Sequence, residues 1–207
     1  MRGIVYVGEG EVEVRKFPEP QPGPGQVVIE MKAAGLCGSD LHKYHSSREW
    51  AQQRKGMISG HEPAGVVADL GRNVDHLALG DRVCVYHRIG CGHCMSCRSG
   101  NAAFCDGGSG AFGRTQDGSH ADYMLADAQY CLPLHDRLSF EVATQLACTA
   151  GTSFSALRKI PAHSGDTLVV FGLGPVGLSG LLFGLGMGYR GIGVDVHPYR
   201  LELARRV

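Results

Sequence analysis

Short runs in which apolar and polar residues alternate occupy the first part of the chain: EVEVR, QVVIEMKAA, AGVVADLG, DRVCVY and ADYMLAD, each bounded by glycine, proline or asparagine. A period of two turns every second side chain to one face, so this stretch predicts short, twisted strands in an all-β domain. PEPQPGPGQ, residues 18–26, predicts a stiff connector. After about Gly151 the pattern changes. TSFSALRKI has helical spacing, and TLVVF, a glycine turn and an apolar stretch from Pro175 follow as strand, turn and packed helix, the opening of a βαβ unit. The expected organisation is therefore a β domain over residues 1–150 and the start of an α/β domain over 151–207.

Residues 168–189 carry no charge and are long enough to cross a bilayer, which takes about 20 apolar residues. Seven glycines and Pro175 within the run would weaken a spanning helix, so strand, turn and helix is the better reading and no membrane partner is expected. Lys plus Arg and Asp plus Glu balance at 20 each among 207 residues, leaving no net field to attract nucleic acid or an anionic membrane. The first residues, MRGIVYVGEGEVEVRK, hold too short an apolar run for a secretory signal, and the cytoplasm is the default location.

Eight cysteines change the picture, because four of them fall in CGHCMSCRSGNAAFC. Cys91, Cys94, Cys97 and Cys105 follow the spacing C-x2-C-x2-C-x7-C, in a loop rich in Gly, Ser and Asn that can wrap round a point. In a reducing compartment disulfides are disfavoured, and four converging thiolates suit tetrahedral Zn²⁺. Such a site is closed. It can hold a loop in shape but has no position for water or substrate. His93 in the same loop reads as solvated, and Cys84 and Cys131, on apparent strands, as buried core residues. SSREWAQQRKG, with Trp50, reads equally as a pocket cover or as an ordinary surface loop, and carries no assigned role.

Chemistry has to come from elsewhere. AAGLCGSDLHKYH groups Cys37, Ser39, Asp40 and His42; ISGHEPAGVV holds His61 and Glu62; LACTAGTSF holds Cys148. Singly each is weak, since an isolated cysteine or histidine is more often structural. Two thiolates and an imidazole, however, make a Cys₂His set that leaves the fourth position of zinc open.

Taken in order, GLCGSDLH, GHEPAGVV, the four-cysteine loop, CTAGTSF and GLGPVG resemble the zinc-dependent medium-chain alcohol and polyol dehydrogenase family over the whole chain. The resemblance implies a GroES-like β domain carrying two zincs per subunit, joined to a Rossmann domain that binds NAD(P). It implies Cys37, His61 and Cys148 as ligands of a catalytic zinc, and Glu62 as a residue just behind that metal. It also implies Asp40 orienting His61, and Ser39 and His42 relaying a proton to solvent. On that reading an alcohol bound at the open position loses its proton and then hydride, as an alkoxide polarised by zinc. A plain turn with an exposed histidine is the bland reading of Ser39 and His42.

The hydride acceptor is read from FGLGPVGLSG. Gly172, Gly174 and Gly177 follow a strand and open a helix, the context in which G-x-G-x-x-G admits a pyrophosphate. Asp195 ends the next apolar strand, where a carboxylate bonds the ribose 2′-hydroxyl and repels a 2′-phosphate, so NAD is favoured over NADP. Arg200 tempers that preference as a nearby cation, and the resemblance places Thr152 near the nicotinamide.

About 40 residues follow Asp166, hardly more than one βαβ unit of the two halves a dinucleotide-binding sheet needs. The chain thus reads as a truncated or partial member, exposing apolar faces and poorly stable alone. Two functions stand: part of a zinc- and NAD-dependent oxidoreductase acting on a small alcohol or carbonyl, homo-oligomeric at full length, or a non-enzymatic zinc-stabilised binding module. A nucleic-acid zinc ribbon is disfavoured, because Arg98 is the one cation in the cysteine loop.

Overall fold

The alternating segments pair much as their pattern predicts. The computed structural model describes residues 1–54 and 56–206, which divide into two units, Met1–Ala147 and Cys148–Val207. The division falls three residues before the boundary expected from the sequence.

In the first unit, β1 (Arg2–Gly8) and β2 (Glu11–Lys16) form a hairpin, turned through Glu9 and Gly10 at φ of 55° and 80°. The connector then leads into β3 (Gln26–Gly35), the longest strand. With β4 (Glu62–Leu70), β5 (Arg82–Val85), β8 (Tyr123–Asp127) and β9 (Cys131–Pro133) it makes an antiparallel sheet in the order β8-β3-β4-β5-β9, while β6 (Arg88–Ile89) and β7 (Gly110–Ala111) pair apart from it. One core cluster is formed by Val27, Ile29, Val67, Val85, Met124 and Phe112 with their neighbours, and Cys131 lies in it. Ala64 and Cys84 meet Ala143 in a second cluster. Cys84 and Cys131 are thus the buried residues the strand pattern suggests.

Helices interrupt the expected all-β region. α1 (Gly38–Tyr44) follows Cys37, α3 (Met95–Arg98) lies in the cysteine loop, and α4 (Phe140–Ala147) packs on the sheet. The segment read as a loop or cover contains a helix, α2 (Arg48–Gln53). Ser47 starts it by accepting a hydrogen bond from the Trp50 amide (3.2 Å), and buried Ala51 is its anchor. Arg82 fixes the approach to α4: its guanidinium donates to the carbonyls of Asp136 (3.0 Å) and Leu138 (2.5 Å) and lies 4.6 Å over the Phe140 ring.

The second unit opens with α5 (Thr149–Leu157) and continues as β10 (Thr167–Phe171), α6 (Pro175–Gly186), β11 (Arg190–Val194) and α7 (Pro198–Arg206). β10 and β11 are parallel, in register from Thr167↔Arg190 to Phe171↔Val194, which is the βαβ unit the sequence predicts. α6 has 12 residues, and among the described residues no helix is long and apolar enough to cross a membrane. Gly184 lets the helix settle on Leu168 of β10, where a methyl group would collide. Phe171, at the end of β10, and Val196, two residues after β11, are 79% and 98% exposed.

Candidate metal centres and dinucleotide loop

The cysteine loop brings its four sulfurs together, all within 4.8 Å of one another. Backbone amides turn onto them: Cys91 N–H points at Cys105 Sγ (3.3 Å), Cys94 N–H at Cys91 Sγ (3.4 Å) and Cys97 N–H at Cys94 Sγ (3.4 Å). Gly90 leaves room that any Cβ would take from Cys97 Sγ. The Gly92 amide favours a Cys97 thiolate, but desolvation and the three neighbouring sulfurs outweigh it and push that thiol up to about 12. Four such groups share one spot as thiolates only round a cation, so the donor set fits the closed Cys₄ zinc site. His93 stays out of it, its Nδ1 donating to the carbonyl of Cys91 (2.9 Å).

A second donor group is assembled from distant parts of the sequence. One ligand atom each of Cys37, His61, Glu62 and Cys148 lie within 4.8 Å of one another. Cys37 sits between the end of β3 and the start of α1, His61 immediately precedes β4, and Cys148 directly follows Ala147. His61 and Glu62 are 6% and 1% exposed. The Glu62 carboxylate lies against Gly35, where the last rung of the β3–β4 ladder pairs the two residues and a side chain on Gly35 would displace it. Two sulfurs, an imidazole and a carboxylate behind them fit a zinc centre with an exchangeable position.

Asp40 is wholly buried, with Oδ1 3.4 Å from His61 Nδ1 and 2.9 Å from Lys43 Nζ, and Oδ2 accepting from the Cys37 amide (3.1 Å). Burial alone would raise its pKa, but the His61 and Lys43 contacts win and hold it well below the usual carboxylate range. Burial likewise pushes the Cys37 thiol up, and contacts from Ser39 and His61 reverse the direction, leaving it below the ordinary thiol value. Ser39 Oγ lies 3.5 Å from His61 Nε2, and His42, three residues on along α1, is exposed.

His87 and His120 were missed by sequence reasoning. The His87 ring lies 5.6 Å from that of His61 and its Nδ1 donates to the Ala147 carbonyl (2.7 Å). His120 meets Gly35 and Ser59. No spacing signal marks either.

Within the second unit, Gly172 (φ 86°) makes the tight turn after β10, Gly174 caps α6, and a Cβ on Gly177 would strike the Gly172 carbonyl. A cleft of about 470 Å³ is lined there by Ser153, Phe171, Gly172, Gly174, Val176 and Gly177. Asp195, whose side chain is 2% exposed, accepts from the amides of Leu173 (2.6 Å) and His197 (2.8 Å), and its Oδ2 is 3.4 Å from Arg200. These bonds lower its pKa, the His197 and Leu173 amides leading. Thr152 lies one turn after Cys148 on α5, its amide donating to the Cys148 carbonyl (2.8 Å), and is exposed.

Residues 23–136 match the family model of the alcohol dehydrogenase GroES-like domain. The uncharacterized zinc-type alcohol dehydrogenase-like protein YphC of Escherichia coli K12 is 40% identical over 208 aligned residues, which cover 97% of this chain and 59% of that protein. Among solved structures, the short chain alcohol dehydrogenase of E. coli CFT073 complexed with NADH superposes with a TM-score of 0.87 at 26% identity, covering all of this chain and 60% of that one. The cobalt- and zinc-bound thermostable alcohol dehydrogenase of Pyrobaculum aerophilum gives 0.86 at 27%, covering all of this chain and 63% of that one. The chain therefore spans about 59% of the length of the curated relative. With the domain model matched over more than half of its residues and zinc-type dehydrogenases among its relatives, the chain belongs to the zinc-dependent medium-chain alcohol dehydrogenase family.

Proposed function

We propose that this chain supplies the metal-binding part and the first part of the cofactor-binding domain of a cytoplasmic oxidoreductase that moves hydride between a small alcohol and NAD. The observation that carries the reading is the convergence of Cys37, His61, Glu62 and Cys148 within 4.8 Å. Cys37, His61 and Cys148 would hold a zinc there, and Cys91, Cys94, Cys97 and Cys105 a second. When bound at the first position, zinc supplies Lewis acidity that makes an alcohol proton easier to remove.

The surrounding residues orient, exclude water and move the proton. The Asp40 carboxylate beside Nδ1 favours a proton on that nitrogen and leaves His61 Nε2 as the donor atom. Ser39, 3.5 Å from Nε2, is the first hydroxyl available to accept and pass on the substrate proton, and exposed His42 releases it to water. Glu62, buried behind the ligands, holds negative charge that can approach the metal position during ligand exchange. In the second unit the amides opening α6 and the three glycines suit a pyrophosphate. Arg200 lies 3.4 Å from Asp195, whose carboxylate opposes a 2′-phosphate, and this supports NAD. The NADH complex of the E. coli CFT073 relative supports the same cofactor.

The closed four-cysteine group, which has no position for a substrate, fits one alternative, a zinc-held module that does not turn over. Zinc content and absorbance at the NADH band separate the two. Two zincs per chain with NAD reduction that depends on added alcohol supports the oxidoreductase, and one zinc without cofactor binding supports the module. Full-length protein is the sample in which homo-oligomerisation is also to be measured.

A further inference from the structure

The β3–β4 ladder ends at Gly35↔Glu62, so no strand pairing fixes the chain beyond it, where Cys37 and His61 project. Besides Asp40, which meets the Cys37 amide and the His61 ring, a second side chain bridges the two segments just there. His120 Nε2 is 3.2 Å from the Gly35 carbonyl, two residues before Cys37, and its Nδ1 is 2.9 Å from Ser59 Oγ, two residues before His61. A carbonyl oxygen only accepts, so Nε2 carries the proton and donates, while the single proton of the Ser59 hydroxyl is shared between Nδ1 of the neutral ring and the Ile4 carbonyl (3.0 Å). The ring also packs close against Gly60: that residue has φ of 93°, and a Cβ on it would stand 2.6 Å from His120 Cδ2. Tyr6 meets the same ring in an edge-to-face arrangement, at 6.5 Å between centroids and 82° between planes.

We propose that His120 is a positioning residue for the Cys37–His61 metal centre, setting the gap between the two ligand-bearing segments through Gly35 and Ser59. The proposal rests on the metal reading above. Its physical basis is the short radius of a zinc site, about 2.0–2.3 Å to each ligand, which leaves little tolerance for two loops that drift apart. The backbone of His120 is held independently of its ring, by Ile4 N–H to its carbonyl (2.8 Å) and its own N–H to the Ser59 carbonyl (2.9 Å). Truncating the ring therefore loosens the bridge while leaving the local strand contacts in place.

The test compares the zinc-loaded chain with His120→Ala and His120→Gln, since a glutamine amide can still donate toward Gly35. Metal content, zinc affinity by chelator competition and the absorption spectrum after cobalt replacement are read for each. His120→Ala is expected to weaken the second-centre zinc by about 10- to 100-fold, the range for residues that orient metal ligands, with the cysteine-loop zinc retained. His120→Gln is expected to restore most of the affinity and the cobalt spectrum. Unchanged affinity in His120→Ala overturns the proposal, as does equal loss from both centres in both variants, which would mark a general structural role. If the parent chain itself binds one zinc, the metal reading fails first, and the two failures are told apart.

Discussion

Tyr130 holds the cysteine loop by both polar groups of one residue: its hydroxyl accepts from the Gly90 amide and donates to the Gly90 carbonyl, each at 2.8 Å. Gly90 directly precedes the first loop cysteine and packs against Cys97. Tyr130→Phe keeps the ring and removes both bonds, at a cost of about 1 kcal/mol each. The variant is expected to release the loop zinc faster to a chelator while leaving the zinc at Cys37 in place, a difference measurable by timed metal release.

Asp40 leads to a second prediction. Its carboxylate joins the Cys37 amide, the His61 ring and Lys43. Asp40→Asn leaves the shape but removes the charge that orients His61, and zinc affinity at that centre should fall by about 10- to 100-fold. The change is read by chelator competition with the loop zinc as internal reference.

The pH dependence of stability has a defined alkaline limb. Burial raises the Cys84 thiol to about 11 and that of Cys131 to about 12, from 9.0. A raised folded-state pKa means that the folded form keeps a proton the unfolded form gives up, so these groups favour folding below pH 9.0 and their contribution is lost as pH rises toward 11 and 12. The urea midpoint should decline over that window, and Cys84→Val with Cys131→Val should flatten the decline.

On the proposed reading, cofactor choice falls to Asp195 and Arg200. Asp195→Asn weakens the hold on Arg200 and removes the charge that opposes a 2′-phosphate. NADPH binding relative to NADH, followed by fluorescence in full-length protein, should shift toward NADPH by about tenfold or more, on the order of 1.4 kcal/mol.

Much of this was legible in the sequence, for reasons that differ by site. The cysteine loop declares itself because its ligands are local and their spacing alone specifies convergence. The strand–glycine–helix segment is equally plain, since residues 167–186 carry strand pattern, turn and helix in order. Cys37, His61 and Cys148 are far apart, so only family resemblance linked them, and the fold was needed to bring them within 4.8 Å. α2 and α4 were hidden because helices of six and eight residues leave little room for a 3.6-residue period to show. His120 was invisible for a simpler reason: its partners are 85 and 61 residues away and bind it through a carbonyl and a hydroxyl, which no motif records.

The most direct measurement is metal content of the zinc-loaded chain beside Cys37→Ala and Cys148→Ala. Two zincs in the parent and one in each variant, with the loop zinc untouched, is the predicted result. A single zinc in all three would contradict the second centre and the hydride chemistry proposed with it.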